Sequence, residues 1–315
     1  MKKIAVLALA LMLVLTAGAS ATTYLGFGTG GTSGTYYAVG AEIAALWTNN
    51  LDDVDVTVQS TGGSKANIVS IVDGECEIAF SQNDTALYAY EGTDYFDNTV
   101  FDNFYALASL YPEAIQIVTP ADSGITCVAD LKGKNVCVGD VGSGTYMNAI
   151  QVLESAGLTE ADINPTYLSF GEAATAMIDG QIDASFTTAG IPNPAIQEIM
   201  TKMDIRLVEL SDEEWAALSE KYPFYFLTPV SADIYGLEED ASIPAISATL
   251  IVSKDMDEEL AYNLTKVLFE KTSEMNHAKK AEIQISTATN GVMIPFHPGA
   301  AKYLAEQGVE VTAGE

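Results

Sequence analysis

Short apolar runs and longer amphipathic segments alternate along most of the chain. The runs at residues 24–28, 54–58 and 77–81 have the length and composition of buried β-strands. The segments between them, at 35–47 and 64–73, place apolar residues at helical spacing and predict two amphipathic helices. This regular alternation of strands and helices predicts an α/β fold with largely parallel sheets.

The second half of the chain repeats two motifs of the first half in the same order. SGTY at 33–36 returns at 143–146, and DGECEIAF at 73–80 is echoed by DGQIDASF at 179–186. In both copies SGTY follows a predicted strand and opens a helix. Two copies at nearly the same offset predict two lobes of one topology rather than a solenoid. Since ligands of open α/β sheets bind beyond the carboxyl ends of the strands, both SGTY loops are expected to face a shared cleft.

The last third of the chain predicts a long amphipathic helix at 257–276, because apolar residues form one stripe there. Segments 107–116 and 222–244 are interpreted as the two crossings between the lobes. The predicted division is residues 22–112 plus 237–315 for lobe 1 and residues 113–236 for lobe 2.

The first 21 residues have the pattern of a secretory signal peptide. Two lysines precede an apolar stretch at 4–15 that is too short to span a bilayer, and Ala19-Ser20-Ala21 supplies a small-x-small cleavage pattern. A buried N-terminal helix is the alternative interpretation. No cysteine follows the apolar stretch, so a lipid anchor is not expected. The exported chain is predicted to start at Thr22.

The chain is strongly acidic, with 43 Asp and Glu residues against 14 Lys and Arg and a formal net charge of −29. Nucleic acid and anionic membrane surfaces would repel such a protein, so neither is expected as a partner. We interpret the charge as an acidic solubility shell. Arg206 is the only arginine, and its apolar strand-like surroundings favour a surface or packing role over the usual bidentate clamp on a carboxylate.

Cysteine and histidine are too few and too scattered for a recognisable metal or redox site. Cys76, Cys127 and Cys137 form no close pair of the zinc or redox type, and His277 and His297 are the only histidines. No metal or cofactor is therefore expected. In an oxidising compartment a disulfide between Cys127 and Cys137 is one interpretation, and two small buried thiols are the other.

The sequence GFGTGG at 26–31 follows a predicted strand and matches the pattern of a dinucleotide-binding turn. The next strand lacks the acidic residue that would bind a ribose, since 54–58 runs into Gln59 and Ser60. We favour an anion-binding turn, in which glycines allow a tight bend and the following helix N-terminus presents unpaired N–H groups.

Ten residues are predicted to bind a ligand at these loops. For the hydroxyl residues the alternative is that each caps its own helix, and for Gln82, which follows a buried strand, the alternative is a solvated loop. The candidates are Thr32, Ser33, Tyr36, Ser64, Gln82, Ser143, Gly144, Thr145, Thr188 and Tyr225.

The order of motifs resembles the TAXI receptors, the solute-binding subunits of one branch of tripartite ATP-independent periplasmic (TRAP) transporters. The similarity covers nearly the whole chain after the signal peptide. It is carried by GTGGTSGTYYAVG at 28–40, STGGSKAN at 60–67, DGECEIAFSQND at 73–84, LASLYPEAIQIV at 107–118, ADLKGKNVCVG at 129–139, GSGT at 142–145, YLSFGEA at 167–173, DGQIDASF at 179–186 and KYPFY at 221–225.

This resemblance implies a two-lobed periplasmic-binding-protein fold of the type II-like kind, with two crossover segments and a ligand cleft between the lobes. It implies a periplasmic receptor that binds glutamate, glutamine or another small anionic or zwitterionic solute and delivers it to a TRAP-type membrane permease. We expect such a protein to be a monomer and not an enzyme. The alternatives are an exported ligand sensor and an enzyme built on the same bilobal fold.

Overall fold

The structure is a computed structural model and describes residues 22–314. The predicted signal peptide, residues 1–21, lies outside the described residues. Within them, no helix combines the length and apolar character that crossing a membrane requires.

Strands and helices alternate as the hydrophobic pattern predicts. The strands are β1 Thr23–Gly28, β2 Val54–Gln59, β3 Ile78–Gln82, β4 Phe104–Pro120, β5 Asn135–Cys137, β6 Asn164–Thr166, β7 Ala184–Ala189, β8 Ile205–Leu207, β9 Phe226–Val230 and β10 Ala241–Ser253. The helices are α1 Thr35–Asn50, α2 Ser64–Val72, α3 Asn83–Glu91, α4 Gly144–Ser155, α5 Phe170–Ile178, α6 Pro194–Met200, α7 Asp212–Lys221, α8 Ala232–Tyr235, α9 Glu258–Glu270 and α10 Pro298–Glu306. The prediction of an α/β fold is confirmed.

Two long strands occupy the centre of one mixed sheet. The order of strands is β2-β1-β3-β10-β4-β7-β5-β6, with β8 paired to β4 and β9 paired to β10. β1, β2 and β3 are parallel to one another, as are β5, β6 and β7, whereas β10 is antiparallel to β3 and β4, and β4 is antiparallel to β7. The two parallel groups therefore flank the antiparallel pair β4 and β10, which joins the two halves of the molecule.

The apolar core is divided in the same way. Two clusters of buried residues draw on strands β1 and β3 and the helices around them, and two others draw on β5, β7 and their helices. Ile243 and Ile246 pack with the clusters of the second half, so the passage between the halves falls inside β10. The lobe boundaries at 112 and 237 stay a prediction.

The predicted helix at 257–276 is shorter than its apolar stripe suggests. α9 begins after Asp257, whose carboxylate accepts a hydrogen bond from the Leu260 N–H at 3.0 Å, and it ends at Glu270. The hydroxyl of Thr272 donates to the carbonyls of Leu268 and Phe269. Because a threonine hydroxyl competes for helix carbonyls, the chain leaves the α-helix there and continues as a single 3₁₀ turn.

All three cysteines are free thiols, so the pairing of Cys127 with Cys137 is not formed. Cys127 lies at the start of a 3₁₀ turn, where its backbone N–H donates to the Asp130 carboxylate at 3.2 Å. Cys137 is buried, and its thiol contacts the carbonyl oxygen of Leu168 at 3.7 Å. The two cysteines therefore belong to different local structures.

Candidate functional site

A cavity of about 280 Å³ lies where loops from both halves of the molecule meet. Its walls come from the segments that follow the carboxyl ends of β1, β2 and β3 on one side and β5, β6 and β7 on the other. This is the position that open α/β sheets use for ligands. The duplicated SGTY loops both contribute to it.

Nine of the ten residues singled out in the sequence line this cavity. They come from five different chain segments, which a linear pattern alone does not bring together. The nine are Thr32, Ser33, Tyr36, Ser64, Gln82, Ser143, Gly144, Thr145 and Thr188. Their place around one cavity is a structural fact, whereas a ligand-binding role for each stays a prediction.

Tyr225 is the tenth residue, and it does not line this cavity. Its side chain packs in the apolar core of the second half and is 5% exposed. Its hydroxyl accepts a hydrogen bond from Asn148 Nδ2 at 2.9 Å and donates to Gln151 Oε1. Burial raises the pKa of Tyr225 well above its usual range, so the phenol remains neutral. The hydroxyl is used by neighbours inside the protein rather than by the cavity.

Four helices begin at the wall of the cavity, namely α1, α2, α4 and α5. Their N-cap residues are Gly34, Gly63, Ser143 and Ser169, and all four line the cavity. Gly63 has φ +101°, a backbone conformation that L side chains rarely adopt, so glycine fits this turn. Each helix N-terminus carries a partial positive charge of about half an elementary charge. The four termini therefore direct positive ends of helix dipoles at the cavity, although the whole chain is acidic.

The two SGTY loops differ in how their first-turn N–H groups are used. In the second copy Ser143 Oγ accepts from the Tyr146 N–H at 3.2 Å, which is the helix-capping role considered for these hydroxyls. In the first copy Gly34 is the N-cap and no side chain caps α1. Within residues 22–314 the N–H groups of Thr35 and Tyr36 have no acceptor. They are available to an anion in the cavity.

Ser64 is the first residue of α2 rather than its cap. Its hydroxyl accepts from the Gln82 N–H at 3.0 Å and so ties α2 to the end of β3. The N–H groups of Lys65 and Ala66 donate to the carbonyl of Gly142 in the other half at 3.1 and 3.3 Å. The first turn of α2 therefore contributes mainly to contact between the halves.

The two halves contact each other around the cavity, so the cleft is closed. Asn148 Nδ2 donates to Asp84 Oδ2 at 3.0 Å, and both residues are fully buried. The Tyr95 hydroxyl donates to the Ser143 carbonyl at 3.1 Å, and the rings of Tyr95 and Tyr146 stack with centroids 5.6 Å apart. A solute in the cavity would be enclosed by both lobes.

Two buried polar atoms of the cavity have no hydrogen-bond partner within the described chain. They are Gln82 Oε1 and Thr188 Oγ1, whose residues are 2% and 4% exposed. An unpaired buried polar group costs about 1–3 kcal/mol, so such atoms at a cavity wall indicate a missing partner. A bound solute is the partner that this location permits.

Glu113 is a cavity residue that the sequence reasoning missed. It lies on β4, is 2% exposed, and its Oε2 accepts from the Tyr36 hydroxyl at 2.5 Å. Burial raises the pKa of Glu113 to about 8, against the opposing effects of the Tyr36 hydrogen bond and the Lys279 charge. A single glutamate inside the apolar strand 104–120 was the signal that could have identified it, because buried carboxyl groups are rare without a function.

Ser169, Phe170 and Gly171 are also cavity residues outside the predicted set. They open α5, where the Ser169 N–H donates to the Glu172 carboxylate at 3.0 Å in a capping box. The pattern SFGE was visible as a helix start. Its position at the cavity follows only from the packing of the three-residue strand β6.

Arg206 does not line the cavity. It lies on β8, opposite Thr119 of β4 in the sheet register, and is partly exposed. The dinucleotide interpretation of GFGTGG also loses its structural basis, because β2 ends in Gln59 where an acidic residue would be needed. In the part of the chain that the structure describes, no three His, Cys, Asp or Glu side chains are grouped as metal ligands.

Comparisons with known proteins agree with this architecture. The fold is the two-lobed periplasmic-binding-protein type expected from the sequence, with helices on a mixed sheet and a cleft between the halves. The chain belongs to the NMT1-like family, whose pattern matches residues 27–308.

Individual relatives are distant. A structure from Bordetella bronchiseptica RB50 is 20% identical, with 90% of this chain and 88% of that chain covered and a TM-score of 0.54. The alkanesulfonate-binding protein SsuA from Xanthomonas axonopodis pv. citri, bound to MOPS, is 17% identical over 92% of each chain, with a TM-score of 0.49. A protein of Escherichia coli (strain K12) named for binding aliphatic sulfonates is 40% identical over 73 residues. That match spans 23% of each of the two chains.

These comparisons relate the chain to solute-binding proteins. They do not distinguish a TAXI receptor from other receptors of this fold. The transporter type predicted from the motifs therefore stays a prediction.

Proposed function

We propose that this protein is an exported receptor that captures a small solute bearing a carboxylate, such as an amino acid of the glutamate or glutamine kind, and delivers it to a TRAP-type membrane permease. The observation that carries the proposal is the meeting of four helix N-termini at one cavity between the two halves. Aligned peptide dipoles and free N–H groups bind an acid group without a charged side chain.

Among the residues that the structure describes, no lysine or arginine lines the cavity, so an anion there would be bound by helix dipoles and hydroxyl groups. Hydroxyl groups of Thr32, Ser33 and Thr145 surround the helix starts and offer further donors. A volume of about 280 Å³ suits a metabolite of roughly amino-acid size, since sites for drug-sized ligands run from about 300 to 1,000 Å³.

An aliphatic sulfonate is a second candidate ligand, and the E. coli relative with 40% identity over 73 residues favours it. A sulfonate and a carboxylate present the same chemistry to a helix N-terminus, because both are oxyanions that accept N–H hydrogen bonds. The two differ in size and in the number of oxygens. A ligand screen separates them directly.

Transport rather than catalysis is the role that the site supports. Neither His277 nor His297 lines the cavity, so the cavity lacks an imidazole base for a nucleophile. Recovery of the solute chemically unchanged after prolonged incubation is the expected result. Conversion of the solute would favour the alternative of an enzyme on the same fold.

The permease type has its own test. Solute uptake by cells that depend on this receptor should collapse when the ion gradient is dissipated and persist when ATP synthesis alone is blocked. The opposite response would assign an ATP-driven permease while leaving the receptor function intact.

The ligand itself is tested by a thermal-shift screen of the chain from Thr22 onward, followed by calorimetry. The panel contains amino acids, dicarboxylates and alkanesulfonates, together with uncharged sugars and nucleosides. A ligand that binds only the folded state raises the midpoint of unfolding by mass action. We expect one acid-bearing solute to bind with one-to-one stoichiometry. A panel in which only uncharged sugars or nucleosides bind would contradict the proposal.

A further inference from the structure

The cavity holds acceptors as well as donors. Glu113 Oε2 accepts from the Tyr36 hydroxyl at 2.5 Å, and Oε1 has no hydrogen bond within residues 22–314. Gln82 Oε1 is a second buried acceptor of the same cavity without a donor. Two acceptors at the wall of one small cavity match a ligand that carries N–H donors in addition to its acid group.

No cation of the described chain pairs with Glu113. The groups that face it are Tyr36 on α1, Tyr111 on β4, Asp84 on α3 and Lys279 on the 3₁₀ turn Ala278–Ala281. The ammonium of Lys279 is paired with Glu282 at 2.7 Å instead. A buried carboxylate without a cationic partner is costly, so in the ligand-free cavity the carboxyl holds a proton, in line with its pKa of about 8.

We propose that Glu113 and Gln82 bind an ammonium group, so that the solute is an amino acid whose acid group lies at the helix N-termini and whose amino group lies at Glu113. This inference rests on the proposed function, because it presupposes that the acid group binds in the same cavity. It makes Glu113 the residue that separates an amino acid from the corresponding acid without nitrogen.

The chemistry predicts proton release. At pH 7 the ligand-free carboxyl of Glu113 is mostly protonated, and an ammonium beside it stabilises the carboxylate. The neutral carboxyl gives its proton to the solvent when the ammonium binds, and no covalent bond of the solute changes. Binding should therefore release close to one proton per solute at pH 7 and tighten as pH rises toward 8.

Matched pairs of compounds test the inference, each pair differing by one amino group. The pairs are L-glutamate with glutarate, L-alanine with propionate, and taurine with ethanesulfonate, which also separates carboxylates from sulfonates. Calorimetry in phosphate and in Tris at pH 7 measures affinity and proton release together. For the pair that fits the cavity, the amino compound should bind about tenfold tighter or more.

Glu113→Gln should remove both the discrimination and the proton release. Glu77→Gln is the matched control, because Glu77 is partly exposed, accepts from the Gly26 N–H at 2.6 Å and does not line the cavity. It should change neither quantity. If Glu113→Gln does not fold, proton release by the wild-type protein remains a sufficient test.

Equal affinity for both members of the pair that binds, without proton release, would overturn the inference and leave the proposed function standing. Discrimination between the two compounds that is kept in Glu113→Gln would also overturn it. Failure of every acid in the panel to bind would refute the proposed function, and the inference would fall with it.

Discussion

The carboxamide of Gln82 occupies the space where a side chain at position 144 would begin. A Cβ added to Gly144 would lie 1.8 Å from Gln82 Oε1. Gln82 ends β3 in the first half, and Gly144 opens α4 in the second, so this contact spans the cleft. The absence of a side chain at Gly144 lets the two lobes meet at the cavity.

Gly144→Ala should therefore weaken ligand binding. The added methyl group overpacks the closed cleft, and overpacking costs about 1–3 kcal/mol, or about five- to 150-fold in affinity. Gly30→Ala is the control, because a Cβ there would meet its nearest neighbour, Tyr36, at 3.6 Å, an ordinary contact. Calorimetry on both variants measures the change in ligand affinity. Unchanged affinity in Gly144→Ala would show that ligand binding does not need the closed cleft.

The sequence predicted the secondary-structure elements and the location of the cavity better than it predicted the chemistry of the cavity. The duplicated SGTY loops and the strand ends could be located because strand–helix periodicity and turn residues are local signals. Glu113 could not be assigned, since its role depends on β4 crossing the middle of the sheet beside Tyr36. The surroundings of Tyr225 could not be predicted for a similar reason, because its partners, Asn148 and Gln151, come from a helix distant in the sequence.

Stability should fall as pH rises in the ligand-free protein. The folded-state pKa of Glu113 is raised from 4.5 to about 8 by burial, and that of Asp84 from 3.8 to about 6. Raised values mean that these two groups bind more protons in the folded state than in the unfolded state, so their contribution to stability is greatest below about pH 4 and is lost as pH rises to about 8. Each pKa unit corresponds to about 1.4 kcal/mol.

Denaturant unfolding at pH 5, 6.5 and 8 measures this trend. Glu113→Gln should flatten the decline between pH 6.5 and 8, where Asp84 no longer contributes. The same slope in the variant and in the wild-type protein would mean that Glu113 does not carry the linked proton.

Tyr225→Phe should reduce stability but not ligand affinity. The hydroxyl bonds to Asn148 and Gln151 inside the core, so its loss leaves buried amide groups unpaired at a cost of about 1–3 kcal/mol. Chemical unfolding measures the free energy of unfolding, and calorimetry on the same preparation measures the ligand affinity. A large loss of ligand affinity at unchanged stability would indicate that Tyr225 contributes to ligand binding.

Thiol labelling should find three reactive groups and no disulfide. Cys127 is partly exposed and should react first in the folded protein, whereas Cys76 and Cys137 are buried and should react only on unfolding. Burial also raises the pKa of Cys76 to about 11, which lowers its reactivity further. A linked peptide that contains Cys127 and Cys137 in non-reduced mass spectrometry would contradict the structure.

The central claim is that helix N-termini and hydroxyls, rather than an arginine, hold the acid group of the solute. Calorimetry on Ser33→Ala, Thr145→Ala and Arg206→Ala tests it most directly. Each hydroxyl variant should lose about 1.5–3 kcal/mol of binding free energy, roughly tenfold to a hundredfold in affinity. Arg206→Ala should bind as the wild-type protein does, because Arg206 lies on β8 away from the cavity wall. Loss of binding in the Arg206 variant alone, with both hydroxyl variants unaffected, would contradict the account.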